Sequence, residues 1–240
     1  MDEQKLKELN LQKVASKKRE YKVEGSPNIG LYFTSPMQTS GYEFPIALGH
    51  AFRQVNKSFY EKNMHALEFY LPAASDEDYH TNADLVSAIC KNSGIVFIIK
   101  SRIEMLEKYN AEGIVLEDDE AANIENLRKK FGDDFIIGLD CKGCKEIAKK
   151  YIDNDIIDYV TFEYSGHETF ELIQYWKTHS EKPCAVKGYI TKEVCEQLTH
   201  SGVDFIGCGD FVWDRKESIA EAVDEISKTI EDSISGRNLQ

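Results

Sequence analysis

Short apolar runs alternate with amphipathic segments along most of this chain. Eight runs are rich in Val, Ile, Leu and Phe, at 29–36, 65–72, 95–101, 113–118, 134–141, 159–164, 183–189 and 204–210. Their length and composition predict strands buried on both faces, as in a parallel sheet. Helical patterning between the later runs predicts helices at 102–111, 121–131, 144–152, 168–179, 191–200 and 217–234.

The repeated order of strand and helix predicts an α/β fold. Eight such units in 240 residues favour a TIM (β/α)8 barrel. An open doubly wound sheet is the alternative, but no GxGxxG motif follows the first predicted strand. Residues 1–28 are predicted to add an N-terminal helical arm, and residues 29–240 to form a single barrel domain.

Charge and composition narrow the function classes. The chain has 29 basic and 42 acidic residues, a net charge of −13, so it should repel nucleic acid. It shows neither a long apolar run nor an apolar signal core, which predicts a cytoplasmic protein without a membrane partner. Six scattered cysteines fit reduced thiols. The N-terminal arm is compatible with a homodimer.

The strand ends supply the candidate catalytic residues, because the active site of a TIM barrel lies at the carboxyl ends of its strands. Lys100, Arg102, Asp140, Lys142 and Lys187 all stand at or just after such ends. A lysine there could bind phosphate or, if desolvated, form a Schiff base. The simpler interpretation is a lysine paired with a neighbouring carboxylate.

A run of four carboxylates, residues 117–120, follows the fourth predicted strand. Asp118, Asp119 and Glu120 are therefore candidate ligands for Mg²⁺, which prefers oxygen ligands. Acidic residues also stabilise the start of a helix, and that structural role remains the alternative.

The loops after the seventh and eighth strands form the phosphate site in many TIM barrels. Here they contain Gly188 and Thr191, then Gly209 and Asp210. The glycines favour an anion, whereas Asp210 opposes one unless it points away or is neutralised. Thr191 is equally suited to cap the following helix.

Cys141 and Cys144 form a CxxC at a predicted strand-to-helix turn. A redox pair is conceivable there, because a helix start can lower a thiol pKa. A zinc site would need two further ligands, and no second CxxC accompanies it.

Three segments resemble, in order and spacing, motifs of the thiamine phosphate synthase superfamily, which includes the thiazole tautomerase relatives. They are FIIKSRIEMLEKYNAEGIVLEDDEA, FIIGLDCKGCKEIAKKYIDNDIIDYVTF and PCAVKGYITKEVCEQLTHSGVDFIGCGD. The resemblance spans roughly residues 95–215 and is strongest to a divergent bacterial branch. It implies a TIM barrel, a transferase of thiamine biosynthesis, and small phosphorylated ligands. The implied reaction couples a pyrimidine pyrophosphate to a thiazole phosphate and releases pyrophosphate, with Mg²⁺ as cofactor.

Several family positions hold other residues. Tyr70 and Pro72 stand where QLRxK has Arg and Lys, and Lys100 and Ser101 stand where IxNDR has Asn and Asp. Asp210 replaces a serine. We therefore expect the coupling activity to be absent or very low.

Two other functions remain open. One is a different TIM-barrel enzyme that uses Lys100, Lys187, Asp140 and Glu163 for acid–base or carbonyl chemistry. The other is a non-catalytic barrel that binds a ligand or partner. The charge of the barrel rim discriminates between these functions. Bound pyrophosphate needs a net positive potential there, whereas a closed set of Lys–Asp and Lys–Glu pairs would favour a structural role or a partner.

Overall fold

Eight parallel strands close into a barrel, as the sequence predicts. The computed structural model of the protein describes residues 29–54, 63–215 and 218–236. Each strand pairs with the next, and β1 pairs with β8 to complete the ring. The strands are β1 (Gly30–Thr34), β2 (Ala66–Phe69), β3 (Val96–Lys100), β4 (Gly113–Leu116), β5 (Ile136–Lys142), β6 (Tyr159–Glu163), β7 (Cys184–Lys187) and β8 (Phe205–Cys208).

Helices follow most of the strands and cover the outside of the barrel. They are α1 (Glu43–Gln54), α2 (Asp76–Ser93), α3 (Ile124–Phe131), α4 (Lys145–Lys150), α5 (His167–His179), α6 (Lys192–Thr199), α7 (Asp210–Trp213) and α8 (Ile219–Ile234). Across the described ranges, no helix combines the length and apolar character needed to span a membrane. The predicted arm, residues 1–28, lies outside the described residues.

The helix predicted at 102–111 is wrong. This connection contains only a 3₁₀ turn, Ile103–Met105, before β4 begins. Ser101 and Asn110 both have positive φ angles, 66° and 49°. A right-handed helix does not continue through a residue in that region, so these two positions confine any helix to residues 102–109.

The barrel interior changes from apolar to charged along the strands. Tyr32, Ile98, Val115, Tyr159 and Ala185 belong to its apolar cluster. The buried residues closer to the carboxyl ends of the strands are polar or charged, namely Glu68, Lys100, Asp140, Thr161 and Lys187. The fold therefore places a charged layer beneath the mouth where the site is expected.

Candidate functional site

Two lysines and two carboxylates form a buried ion-pair network at the barrel mouth. Asp140 Oδ2 accepts hydrogen bonds from Lys100 Nζ at 2.6 Å and from Lys187 Nζ at 3.0 Å. Lys187 Nζ also donates to both Glu68 oxygens, at 2.9 and 3.1 Å. All four residues are buried. Three predicted catalytic residues, Lys100, Asp140 and Lys187, are thus brought together.

Neighbouring polar groups complete the hydrogen bonding of the two carboxylates. Thr161 Oγ1 and the Lys142 amide donate to Asp140 Oδ1, at 3.1 and 3.0 Å. The Tyr32 hydroxyl donates to Glu68 Oε2 at 2.8 Å. Buried carboxylates with this many donors are held in one position, so the network is a preorganised unit.

A third carboxylate extends the network to the rim. Glu117 lies 3.3 Å from Lys100 Nζ and 3.1 Å from Lys142 Nζ. Lys100, Lys142 and Lys187 are therefore all paired with carboxylates of this chain. These three lysines at the mouth are therefore already neutralised by nearby carboxylates.

The opposite charges around them keep Lys100, Lys187 and Asp140 ionised at neutral pH. Burial alone would lower the pKa of Lys100 and Lys187, but the adjacent carboxylates outweigh burial and raise both. Burial would raise the pKa of Asp140, but the two ammonium groups lower it well below its usual range. A Schiff-base lysine must lose its proton before it attacks, and this arrangement opposes that loss.

Arg102 is predicted to be catalytic, but its described contacts lie with α2. Its guanidinium stacks over the Tyr79 ring, with Cζ 4.2 Å from the ring centroid. Its Nη1 lies 3.6 Å from Asp76 Oδ1. The structure therefore does not bring Arg102 into the buried network.

The carboxylates predicted to bind Mg²⁺ do not form a metal site. Asp118 pairs with Lys150 Nζ at 2.7 Å and accepts the Tyr151 hydroxyl at 2.9 Å. Glu120 accepts the Ser101 hydroxyl and the Glu117 amide, both at 2.9 Å, and Asp119 is exposed. No group of three or more His, Cys, Asp or Glu residues in the described ranges is arranged to hold a metal. These residues do not fit the magnesium ion that the resemblance implies, whereas the Glu120 contacts form a capping box.

The residues predicted to bind phosphate lie in environments that differ from one another. Gly188 and Gly209 are adjacent, because a Cβ on Gly209 would lie 3.5 Å from the Gly188 carbonyl oxygen. Thr191 caps α6, accepting the Val194 amide at 3.4 Å. Asp210 is an exposed residue at the start of α7. The pKa of its carboxyl group is raised, first by partial loss of hydration and then by the nearby charge of Asp214. Within the described residues no cation pairs with Asp210, so it is not neutralised.

Glu68 is the network member that sequence reasoning misses. It lies inside the apolar run HALEFYLP, and alternation along β2 turns it into the barrel while Phe69 faces the outer core. The signal in the sequence that could have identified Glu68 is that it is a single acidic residue in an otherwise apolar strand. Its partner, Lys187, is 119 residues away, so the pairing has no local signature.

The two cysteines of the CxxC are not bonded to each other in this structure. Cys141 is buried and Cys144 is exposed, and both are free thiols. Burial raises the pKa of the Cys141 thiol, which disfavours the reactive thiolate.

A cavity of about 750 Å³ lies apart from the charged network, between α1 and the start of α8. Its walls include Phe44, Ile46, Trp213 and Ile219. None of the predicted site residues lines it, so the strand-end rule, rather than cavity size, identifies the candidate site.

Comparisons with known proteins agree with this barrel. Residues 47–209 match the family model described as thiamine monophosphate synthase. A thiamine-phosphate synthase from Erythrobacter litoralis is 25% identical over 201 residues, covering 79% of this chain and 91% of that protein. Another, from Hyphomonas neptunium, is 27% identical over 147 residues, covering 58% of this chain and 66% of that protein.

Solved structures show the same fold at low identity. Thiamine phosphate pyrophosphorylase from Pyrococcus furiosus superimposes with a TM-score of 0.69 at 16% identity, covering 87% of this chain and 98% of that one. A tryptophan synthase chain from M. tuberculosis gives a TM-score of 0.62 at 11% identity, covering 85% and 94%. These likenesses support the fold alone, whereas the family model spans more than half of the chain. The chain therefore belongs to the thiamine monophosphate synthase family.

Proposed function

We propose that this chain keeps the barrel of its family but does not couple a pyrimidine pyrophosphate to a thiazole phosphate. The observation that carries the proposal is the pairing of Lys100, Lys142 and Lys187 with carboxylates of the same chain. Departure of a diphosphate requires donors or cations that stabilise the charge developing on it. Paired ammonium groups must first break their ion pairs, and Tyr70 and Pro72 provide no replacement cations.

The same arrangement favours proton transfer on a small substrate. Asp140 and Glu68 keep Lys100 and Lys187 as ammonium groups. Lys187 already uses its three N–H groups on Glu68 and Asp140. Among the described residues, the carboxylates that Lys100 contacts are those of Asp140 and Glu117. The third N–H group of Lys100 can donate to a single carbonyl oxygen and stabilise the negative charge that forms there when an adjacent proton is removed, whereas a diphosphate would need several such donors. The network thus supplies the electrophilic half of such a reaction.

Glu163 supplies the base. It ends β6 beside Lys187 in register, and it is exposed at the mouth. Partial desolvation by the surrounding protein raises the pKa of Glu163, whereas the pKa of Asp140 is lowered. Carboxyl groups whose environments shift their pKa values in opposite directions are suited to different roles, here a base and a fixed counter-ion.

Solvent deuterium exchange tests this chemistry. A panel of small 2-keto acids and hydroxyketones, with and without phosphate, would be incubated with the protein in D₂O and followed by proton NMR. We expect catalysed exchange on at least one compound, and a loss of about 100-fold or more in Glu163→Gln. Equal exchange rates for the wild type and Glu163→Gln would contradict the assignment of the base.

A further inference from the structure

The carboxylate of Glu163 lies against Gly188, directly after β7. A Cβ on Gly188 would be 2.6 Å from Glu163 Oε1, which is closer than atoms that are not bonded can approach. The φ angle of Gly188 is 112°, a conformation that L side chains rarely adopt. The space left by the missing side chain is therefore filled by a carboxylate of the chain itself.

This space belongs to the loops after β7 and β8, which bind phosphate in many TIM barrels. Gly209, from the second loop, adjoins Gly188, and the exposed Asp210 follows it. Lys187 is the cation next to Gly188 in sequence. Its ammonium group is committed to Glu68 at 2.9 Å and to Asp140 at 3.0 Å. The glycine pair thus has a carboxylate against it, and the ammonium group of the adjacent Lys187 is already paired.

We infer that Glu163 sets the ligand specificity of the barrel mouth. It excludes a terminal phosphate from the glycine pair and instead accepts a hydrogen bond from a hydroxyl or ammonium group of the ligand. A phosphate against Gly188 would place like charges in contact, where they repel each other. An ionised carboxylate is an acceptor only, so a donor group fits the same place. The inference rests on the proposed function, because it takes the mouth as the ligand site.

Binding of inorganic phosphate tests the exclusion. The wild type, Glu163→Gln and Glu181→Gln would be titrated at pH 8 by calorimetry, after circular dichroism has shown that each is folded. Glu181 is exposed ahead of β7, at the other end of the barrel, and its variant makes the same change in net charge. We expect Glu163→Gln to bind phosphate at least tenfold more tightly than the wild type, and Glu181→Gln to bind like the wild type. No gain in Glu163→Gln, or an equal gain in both variants, would overturn the inference.

Ethanolamine tests the preference for a donor group. We expect it to bind the wild type at least fivefold more tightly than Glu163→Gln, because the variant lacks the charged acceptor. Equal affinities would overturn this half of the inference. Both experiments measure binding alone, so their failure is distinguishable from failure of the proposed function, which would appear as thiamine phosphate formed by the wild type.

Discussion

The carboxylate of Asp140 is the point where the two buried lysines of the barrel mouth meet. One oxygen accepts both ammonium groups, and the other accepts a hydroxyl and a backbone amide. A buried charge that loses its partner keeps its cost of desolvation without the compensating attraction. Single substitutions in this network should therefore have large effects.

Asp140→Asn should destabilise the protein by about 3–5 kcal/mol, because it leaves Lys100 and Lys187 short of a counter-ion. Urea unfolding at pH 7 measures the change. Glu125→Gln is the matched control, because Glu125 and Lys129 are exposed and 3.8 Å apart. Exposed pairs contribute little, so the control should unfold close to the wild type. Similar midpoints for the two variants would show that the network is not held as described.

Glu163→Gln should make the protein more stable at pH 8. The folded-state pKa of Glu163 is raised, so the fold favours its protonated form. The stabilising effect of the protonated carboxyl group is present below the unfolded pKa of about 4.3 and is lost as pH rises through the folded pKa. At pH 8 the ionised carboxylate therefore costs stability, and the neutral Gln side chain avoids that cost. The gain in melting temperature should therefore shrink between pH 8 and pH 4. A variant that melts below the wild type at pH 8 would contradict this account of Glu163.

Among the elements, β7 and β8 approach so closely that position 207 has no room for a side chain. A Cβ on Gly207 would lie 2.8 Å from the Val186 carbonyl oxygen and 2.9 Å from the Lys187 Cα. Both are backbone atoms of β7, and they cannot move without shifting the strand that positions Lys187.

Gly207→Ala should therefore cost about 1–3 kcal/mol of unfolding free energy through overpacking. Gly209→Ala is the comparison, because its Cβ would meet the Thr34 hydroxyl at 2.7 Å, a side-chain atom that can rotate away. We expect the smaller loss at position 209, measured by denaturant unfolding. The opposite order would show that strand spacing does not limit this part of the barrel.

Most elements could be predicted from the sequence because buried parallel strands carry a strong local signal. The eight strands are found within or close to the predicted runs. The failure at 102–111 is local, since the segment between Ser101 and Asn110, which both have positive φ angles, contains only a 3₁₀ turn. Helices α1 and α2 lie in the first two connections, whose patterns are less regular and predicted no bounds.

The site could be predicted only in part. The strand-end rule identifies Lys100, Asp140 and Lys187, because it needs nothing beyond strand bounds. It cannot show that Arg102 stacks on Tyr79, since that contact depends on where α2 packs. The pairing of Glu68 with Lys187 likewise appears only when the barrel closes.

In the molecule as a whole, acidic residues outnumber basic ones, and at the mouth they neutralise the lysines. The net charge is −13, and the three mouth lysines are matched by carboxylates. Membership of the family fixes the barrel but leaves the reaction open, because the packing positions and the charged positions can change independently. The homodimer and the cytoplasmic location remain predictions from the sequence.

We propose that this barrel has lost the coupling reaction of its family. The most direct test is to incubate folded, purified protein with the pyrimidine pyrophosphate, the thiazole phosphate and Mg²⁺, and to quantify thiamine phosphate by chromatography. An active thiamine-phosphate synthase, assayed in parallel, controls for the substrates. We predict no product above a protein-free blank. Thiamine phosphate formed at a rate usual for enzymes, about 1 per second or faster, would contradict the account and would mean that the paired lysines turn outward to the diphosphate.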